Sequence, residues 1–225
     1  MDIRYRHEWK HFINYADLLS IRARMRAVAE PDPHAENGLY TIRSLYFDNL
    51  NDKALREKID GVNMREKFRI RYYNGDTSFI HLEKKSRRNG LGTKYSAELT
   101  AAEAQKIVDG DTDWMRTSGR PLLEELYCKM KYQNLRPRTI VDYTREPYIY
   151  RPGNVRVTFD YDIRSGLSCT DFLNPACVTI PVTDRAIILE VKWDDFLPSI
   201  IRDAVQTPGR RVTSFSKYAQ CRIYG

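Results

Sequence analysis

A largely antiparallel α+β fold of about eight strands is what the sequence predicts, and three observations carry that prediction. Segments of alternating apolar and polar residues, the period-two signature of strands, recur along most of the chain. Helical patterns with recognisable caps lie between some of them, without the strand–helix–strand rhythm of a parallel sheet. The 225 residues are 42% hydrophobic and 12% aromatic, enough for one substantial core rather than disorder. No internal repeat, low-complexity run or linker divides the chain, so residues 1–225 are expected to form a single domain.

The first strand is expected over 3–13 (IRYRHEWKHFI), with Arg4, Arg6, Glu8 and Lys10 on one face and Tyr5, Trp9 and Ile13 on the other. A helix follows in NYADLLSIRARMRAV. Asn14 serves as its N-cap, Asp17 sits in its first turn, and basic residues lie toward its end, where the helix dipole favours them. Strands over 38–48, 65–74, 78–87 and 93–99 come next. TAAEAQKIVDG then reads as a helix, opened by a Thr100/Glu103 capping box and stopped at Gly110. RPLLEELYCKMKYQN reads as another, with Pro121 near its start. Strands over 138–150, 155–164 and 186–194 and the short helical stretches FLPSIIRDAV and SFSKYAQCRI complete the series.

Several strands carry charge on one face only. In KFRIRYYN, Lys67, Arg69 and Arg71 oppose Phe68, Ile70 and Tyr72. His81, Glu83 and Lys85 alternate with Ile80 and Leu82; Arg156, Thr158 and Asp160 with Val155, Val157, Phe159 and Tyr161; Glu190 and Lys192 with Leu189 and Val191. Like charges two residues apart on a strand repel by roughly 2–3 kcal/mol at an effective dielectric near 20, and by well under 1 kcal/mol in open water. A solvent-facing sheet tolerates this cheaply, and antiparallel sheets commonly have one wet face. An enclosed face needs an anion. Closing about eight strands into a barrel with the apolar side chains outward under the helices encloses the charges, which is costly unless a polyanion and metal ions fill the space. Periodicity alone leaves open and closed arrangements both standing.

Lys and Arg number 37 against 30 Asp and Glu, a net charge of +7 that favours an anionic partner such as phosphate, nucleotide or nucleic acid. Cys128, Cys169, Cys177 and Cys221 show neither a CxxC pair nor zinc-ligand spacing, so free thiols are favoured over disulfides. No apolar run has the length of a membrane span, and MDIRYRHEWK lacks the apolar core of a signal peptide. A soluble, cytoplasmic protein is expected. There is no Ser-His-Asp set, catalytic Cys or GxxxxGK[ST] loop, which argues against covalent and P-loop enzymes.

The series RHEWK (6–10), SLYFDN (44–49), KFRIRYY (67–73), HLEKKSRRNGLGTK (81–94), YTREPY (143–148), VRVTFD (155–160), LEVK (189–192) and SFSKY (214–218) resembles, in order and over nearly the whole chain, the VTC-type polyphosphate polymerase domain of the triphosphate tunnel metalloenzyme (CYTH-like) superfamily. The resemblance implies a tunnel-shaped antiparallel β-barrel with a basic interior and flanking helices. It implies an ATP-dependent polyphosphate polymerase, a transferase that moves the γ-phosphate of ATP onto a growing inorganic polyphosphate with help from Mn²⁺ or Mg²⁺. Its phosphate-binding residues would be Lys10, Arg69, Arg71, Lys85, Lys94, Arg145, Arg156, Ser216 and Lys217, the catalytic set being these cations apart from Lys94, and its metal ligand Glu190. Tyr218 and Lys192 are weaker candidates. Lys85 is chosen over Lys84 because it shares a strand face with Glu83.

Arg69 and Arg71 could instead face solvent, and Glu190 could be half of a structural ion pair. Glu8 reads better as a partner orienting Lys10 or Arg71 than as a metal ligand, and Asp160 as either a supporting ligand or an ion-pair partner. Lys94, near Gly90 and Gly92, could lie on a mobile segment over the ligand. The hydrolytic relatives carry a first-strand ExExK, where this chain has Arg6-x-Glu8-x-Lys10. That cation in place of an acid puts triphosphatase action in doubt. A tripolyphosphatase or nucleoside triphosphatase, and a non-enzymatic binder of polyphosphate or nucleic acid, remain the alternatives. ATP and inorganic polyphosphate or triphosphate are the expected partners, and no nucleic acid is expected.

Overall fold

The computed structural model describes residues 6–182, 186–207 and 209–223. In chain order the strands are β1 (His7–Ile13), β2 (Glu30–Pro31), β3 (Tyr40–Asp48), β4 (Arg65–Tyr73), β5 (Asp76–Arg88), β6 (Leu91–Leu99), β7 (Arg136–Tyr150), β8 (Val155–Ser165), β9 (Ile180–Pro181) and β10 (Ile187–Trp193). The α-helices are α1 (Tyr15–Val28), α2 (Lys53–Ile59), α3 (Ala101–Asp109), α4 (Pro121–Tyr132), α5 (Ser199–Ala204) and α6 (Lys217–Ile223). Ile3, Arg4 and Tyr5 of the expected first strand lie outside the described residues.

The chain divides into two compact units. The first takes in Met1–Thr41, Tyr143–Ile163 and Thr183–Phe215, and the second Ile42–Asp142, Arg164–Val182 and Ser216–Gly225. Strands of the first hydrogen-bond in the order β1-β10-β8-β7, and those of the second in the order β7-β3-β4-β5-β6. The long β7 serves in both, through Asp142 in the second unit and from Tyr143 in the first. Two short strands lie off these paths, β2 on β7 and β9 on β8. The registered pairings are antiparallel, so the α+β antiparallel fold expected from the sequence is the fold found.

In the first unit the apolar faces of β10 and β8 present Leu189, Val191, Val157 and Phe159 to Leu18, Ile21 and Met25 of α1 and Ile201 and Ala204 of α5. The α1 residues follow helical spacing along one stripe. Asn14 caps that helix as expected: its side chain accepts the Asp17 N–H at 2.8 Å, and Asp17 accepts the Asn14 N–H at 3.1 Å. The turn between β7 and β8 requires Gly153. Its φ is +71°, and an added Cβ would lie 2.4 Å from the Phe196 carbonyl oxygen.

In the second unit Leu45, Phe68, Ile70, Ile80, Leu82 and Leu99 pack against Ala104 and Ile107 of α3 and Leu122, Leu123, Leu126 and Met130 of α4. Burying side chains of this size is worth about 1.5–3 kcal/mol each, which fixes the apolar faces of β4 and β5 against the helices. Thr100 and Glu103 form the expected capping box of α3, and Gly110 ends it at φ +84°. Helix α2 is not anticipated by the sequence pattern. Its N-cap position, Asp52, makes no side-chain cap; instead Asp48 at the end of β3 accepts the N–H groups of Ala54 and Leu55, and the Asn49 side chain accepts that of Lys53. Among the described residues no helix is long and apolar enough to cross a membrane.

Candidate functional site

The charged strand faces are built by register. In the first unit Lys10 stands opposite Glu190 and Glu8 opposite Lys192 across β1 and β10, while Glu190 stands opposite Thr158 and Lys192 opposite Arg156 across β10 and β8. One face of these strands therefore carries Glu8, Lys10, Glu190, Lys192, Arg156, Thr158 and Asp160. Glu190, 4% exposed, is its centre. Its Oε1 lies 3.2 Å from Lys10 Nζ, and its Oε2 accepts from Lys192 at 2.6 Å and from Arg145 at 3.3 Å. Arg145 also grips the fully buried Asp160 through Nε at 2.6 Å and Nη2 at 2.7 Å, and its guanidinium lies 5.5 Å from the centre of the Tyr143 ring. Burial works against both cations. The charges of Glu190 and Glu8 outweigh it for Lys10, and those of Asp160 and Glu190 for Arg145, so both hold their protons more tightly than usual.

Glu8 lies 3.3 Å from Lys10 and 3.3 Å from Lys192, in the orienting role expected for it toward Lys10. Asp160 takes the ion-pair alternative. Arg156 shares the face by register, but its Nη2 donates to Asp32 at 2.9 Å, away from the Glu190 contacts. Lys10, Arg145, Arg156 and Lys192 are matched by Glu8, Asp32, Asp160 and Glu190, so this face is close to neutral.

In the second unit Arg69 stands opposite Tyr46 and Glu83, Arg71 opposite Ser44 and His81, and Lys67 opposite Lys85, which in turn stands opposite Lys94. Arg69 and Arg71 are 6% and 3% exposed. They are enclosed cations, and the solvent-facing alternative does not hold for them. Arg69 donates to Glu83 through Nε at 2.7 Å and to the Tyr46 hydroxyl through Nη1 at 2.7 Å; Arg71 donates to Ser44 Oγ at 2.9 Å. Lys94 reaches the other Glu83 oxygen at 2.8 Å. It does so from strand β6 rather than from a loop. Burial would raise the Glu83 carboxyl, but Arg69, Arg71, Lys94 and Lys85 override it and hold the group far below the ordinary carboxylate range. Seven cations, Arg65, Lys67, Arg69, Arg71, Lys85, Arg87 and Lys94, share this face of β4, β5 and β6 with Glu83 and Glu98, so unlike the first it remains positive.

Tyr46 is a site residue that the sequence pattern did not single out. Burial favours its neutral form, but Arg69, Lys67 and Arg71 lower its hydroxyl to about 8. Its ring stacks on Tyr218 with centroids 5.0 Å apart, and the Tyr218 hydroxyl donates to the buried Asp48 at 2.6 Å. The SFSKY stretch thereby reaches the arginine face through Tyr218. Ser216 and Lys217 stand at the start of α6, where the Ser216 hydroxyl accepts the Ala219 N–H at 3.4 Å, a capping contact. Lys84, the residue passed over for Lys85, is indeed on the helix side, 3.1 Å from Glu66 and paired with Glu125.

For a divalent metal the available donors are Glu190 and, on the same face, Glu8. Among the described residues no group of three or more His, Cys, Asp or Glu side chains could hold a metal unaided. A hard ion that takes one or two carboxylates and completes its shell with phosphate oxygens fits this set, while a closed all-protein cage does not.

A family model described as the VTC domain matches residues 5–224. No curated protein matches the chain. Among solved structures, the PH1012 protein of Pyrococcus horikoshii OT3 is similar at 14% identity and a TM-score of 0.51, over 96% of this chain and 99% of that one. The PH1819 protein of the same organism is similar at 16% identity and a TM-score of 0.44, over 89% and 84%. At these identities the likeness concerns the fold alone. The family match, running across both units and all the charged strands, means that this chain belongs to the VTC domain family.

Proposed function

We propose that this protein is a metal-dependent polyphosphate polymerase that transfers the γ-phosphate of ATP onto a growing inorganic polyphosphate chain. The observation that carries the reading is the near-complete burial of Arg69 and Arg71 on a face with more cations than acids. Such a face is costly to maintain unless a polyanion occupies it. Membership of the VTC domain family supports the same phosphate chemistry.

Phosphoryl transfer asks a protein mainly for positioning and charge neutralisation. Arg69 and Arg71 offer planar, two-pronged contacts to phosphate oxygens, with Lys85 and Lys94 as point charges on the same face. Lys10, Arg145, Arg156 and Lys217 are assigned to further phosphates of the ATP and the chain, and the Ser216 hydroxyl to a hydrogen bond beside them. A terminal phosphate oxygen of the growing chain attacks the γ-phosphorus in line. The bond to the β,γ-bridging oxygen breaks, and ADP leaves with its new charge facing the cations. Mn²⁺ or Mg²⁺, held by Glu190 and phosphate oxygens, would supply further neutralisation of that charge.

The test is phosphorus NMR of the purified protein incubated with ATP and either metal, with Glu190→Gln and Arg69→Ala beside it. Internal polyphosphate signals from the wild type, reduced about a hundredfold or more in both variants, are expected. Free phosphate without polymer makes the protein a tripolyphosphatase or nucleoside triphosphatase instead. No turnover with either metal leaves a polyanion-binding protein.

A further inference from the structure

Away from the charged faces, Cys169 and Cys177 place their sulfur atoms 2.8 Å apart. Both are half-buried free thiols packed against the apolar core of the second unit. The loop between them is held by turns: the Asn174 N–H donates to the Asp171 carbonyl, the Cys177 N–H to the Asn174 carbonyl at 3.1 Å, and Arg43 Nη1 to that same carbonyl at 2.6 Å. Within it Phe172 is 1% exposed, with its ring 4.9 Å from that of Tyr72, and its carbonyl accepts the Tyr72 hydroxyl. The backbone that brings the sulfurs together is thus fixed by contacts that do not involve them. Only about 0.8 Å separates their spacing from that of a bonded pair.

We propose that Cys169 and Cys177 are a dithiol modification site, oxidised to an intramolecular disulfide by a small-molecule disulfide such as oxidised glutathione. One thiolate attacks the glutathione disulfide, forming a protein–glutathione bond and releasing one glutathione thiolate. The second cysteine thiolate then attacks the protein sulfur of that bond and expels the other glutathione. The protein loses two electrons and two protons, and one glutathione disulfide becomes two thiols. The closed loop staples Phe172 over Tyr72, directly behind the strand that carries Arg69 and Arg71. Its formation restricts the unfolded chain and raises thermal stability. This proposal stands independently of the phosphate reading.

Both cysteines fall on one tryptic peptide, residues 165–185, so the modification is a loss of two hydrogens from a single peptide. The experiment incubates the reduced full-length protein with oxidised glutathione, blocks the remaining thiols and maps the peptides without reduction. Expected are the minus-two-hydrogen form of peptide 165–185, a glutathione adduct on the exposed Cys128, and an upward shift in melting temperature of about 5–10 °C. In Cys169→Ser and Cys177→Ser the remaining cysteine should carry glutathione instead, and the shift should vanish. The wild-type map stands even if a variant fails to fold. Separate glutathione adducts on Cys169 and Cys177, or both thiols still reduced when Cys128 is fully modified, overturn the proposal.

Discussion

Replacing Glu83 by Gln tests whether the arginine face is built for an added anion. The carboxylate is 2% exposed and lies 2.5 Å from Arg69 Nη2, 2.8 Å from Lys94 and 4.0 Å from Arg71. Glutamine keeps the shape and one acceptor but removes the charge that offsets these cations. Removing one partner of a buried ion pair costs about 3–5 kcal/mol, which for a chain of this length lowers the melting temperature by about 6–20 °C. A phosphate about 6 Å from Glu83 is repelled by it with roughly 2–3 kcal/mol at an effective dielectric near 20. The variant should therefore bind tripolyphosphate about ten- to a hundredfold more tightly while being less stable without it. The assay is a pair of thermal melts, wild type and variant, with and without tripolyphosphate. The variant should start lower and rise further. Equal ligand-induced shifts, or a ligand-free variant as stable as the wild type, would refute the view of Glu83 as the counter-charge that a polyanion supersedes.

Ionisation of Tyr46 gives a pH dependence of definite sign. Its folded-state value of about 8 lies below the ordinary value of 10.0, so folding favours the phenolate and stability should rise as pH increases between about 8 and 10. Over the same range a negative charge appears beside Arg69, and tripolyphosphate affinity should fall; Tyr46→Phe should remove both the phenolate absorbance step near pH 8 and that fall. Gly153→Ala should destabilise the first unit by about 1–3 kcal/mol, measured by denaturant unfolding, since the new Cβ meets the Phe196 carbonyl at φ +71°. A fully neutral result there would mean the β7–β8 turn relaxes without cost.

Much of this arrangement could be read from alternation alone. Period two put Arg69 and Arg71 on one face and Phe68 and Ile70 on the other, and it put Lys85 rather than Lys84 on the face of Glu83; Lys84 pairs with Glu66 and Glu125 on the helix side. Capping chemistry located α1 and α3 because their caps are local in sequence. It missed α2, whose first turn is satisfied by Asp48 and Asn49 from the end of a strand rather than from its own N-cap position. Alternation also cannot supply register. That Glu83, rather than another acid, meets Arg69 depends on the β4–β5 pairing, and that Arg156 turns to Asp32 depends on where residues far earlier in the chain come to rest. Tyr46 went unnoticed because one tyrosine among fifteen carries no signal until Lys67, Arg69 and Arg71 are seen around it.

The link from Asp48 through Tyr218 and Tyr46 to Arg69 also bears on the order of events during synthesis. Asp48 and Tyr218 are 170 positions apart, so their hydrogen bond is among the most non-local in the chain, and such contacts form late and slowly. A nascent chain can pair β4 with β5 and seat Arg69 on Glu83 long before residue 218 leaves the ribosome. Until then Asp48 lacks the Tyr218 hydroxyl, although Ala54 and Leu55 already donate to it, and Tyr46 lacks its stacking partner. Arg69 takes up its final surroundings only after translation has passed Tyr218, so the arginine face cannot mature earlier on a growing chain.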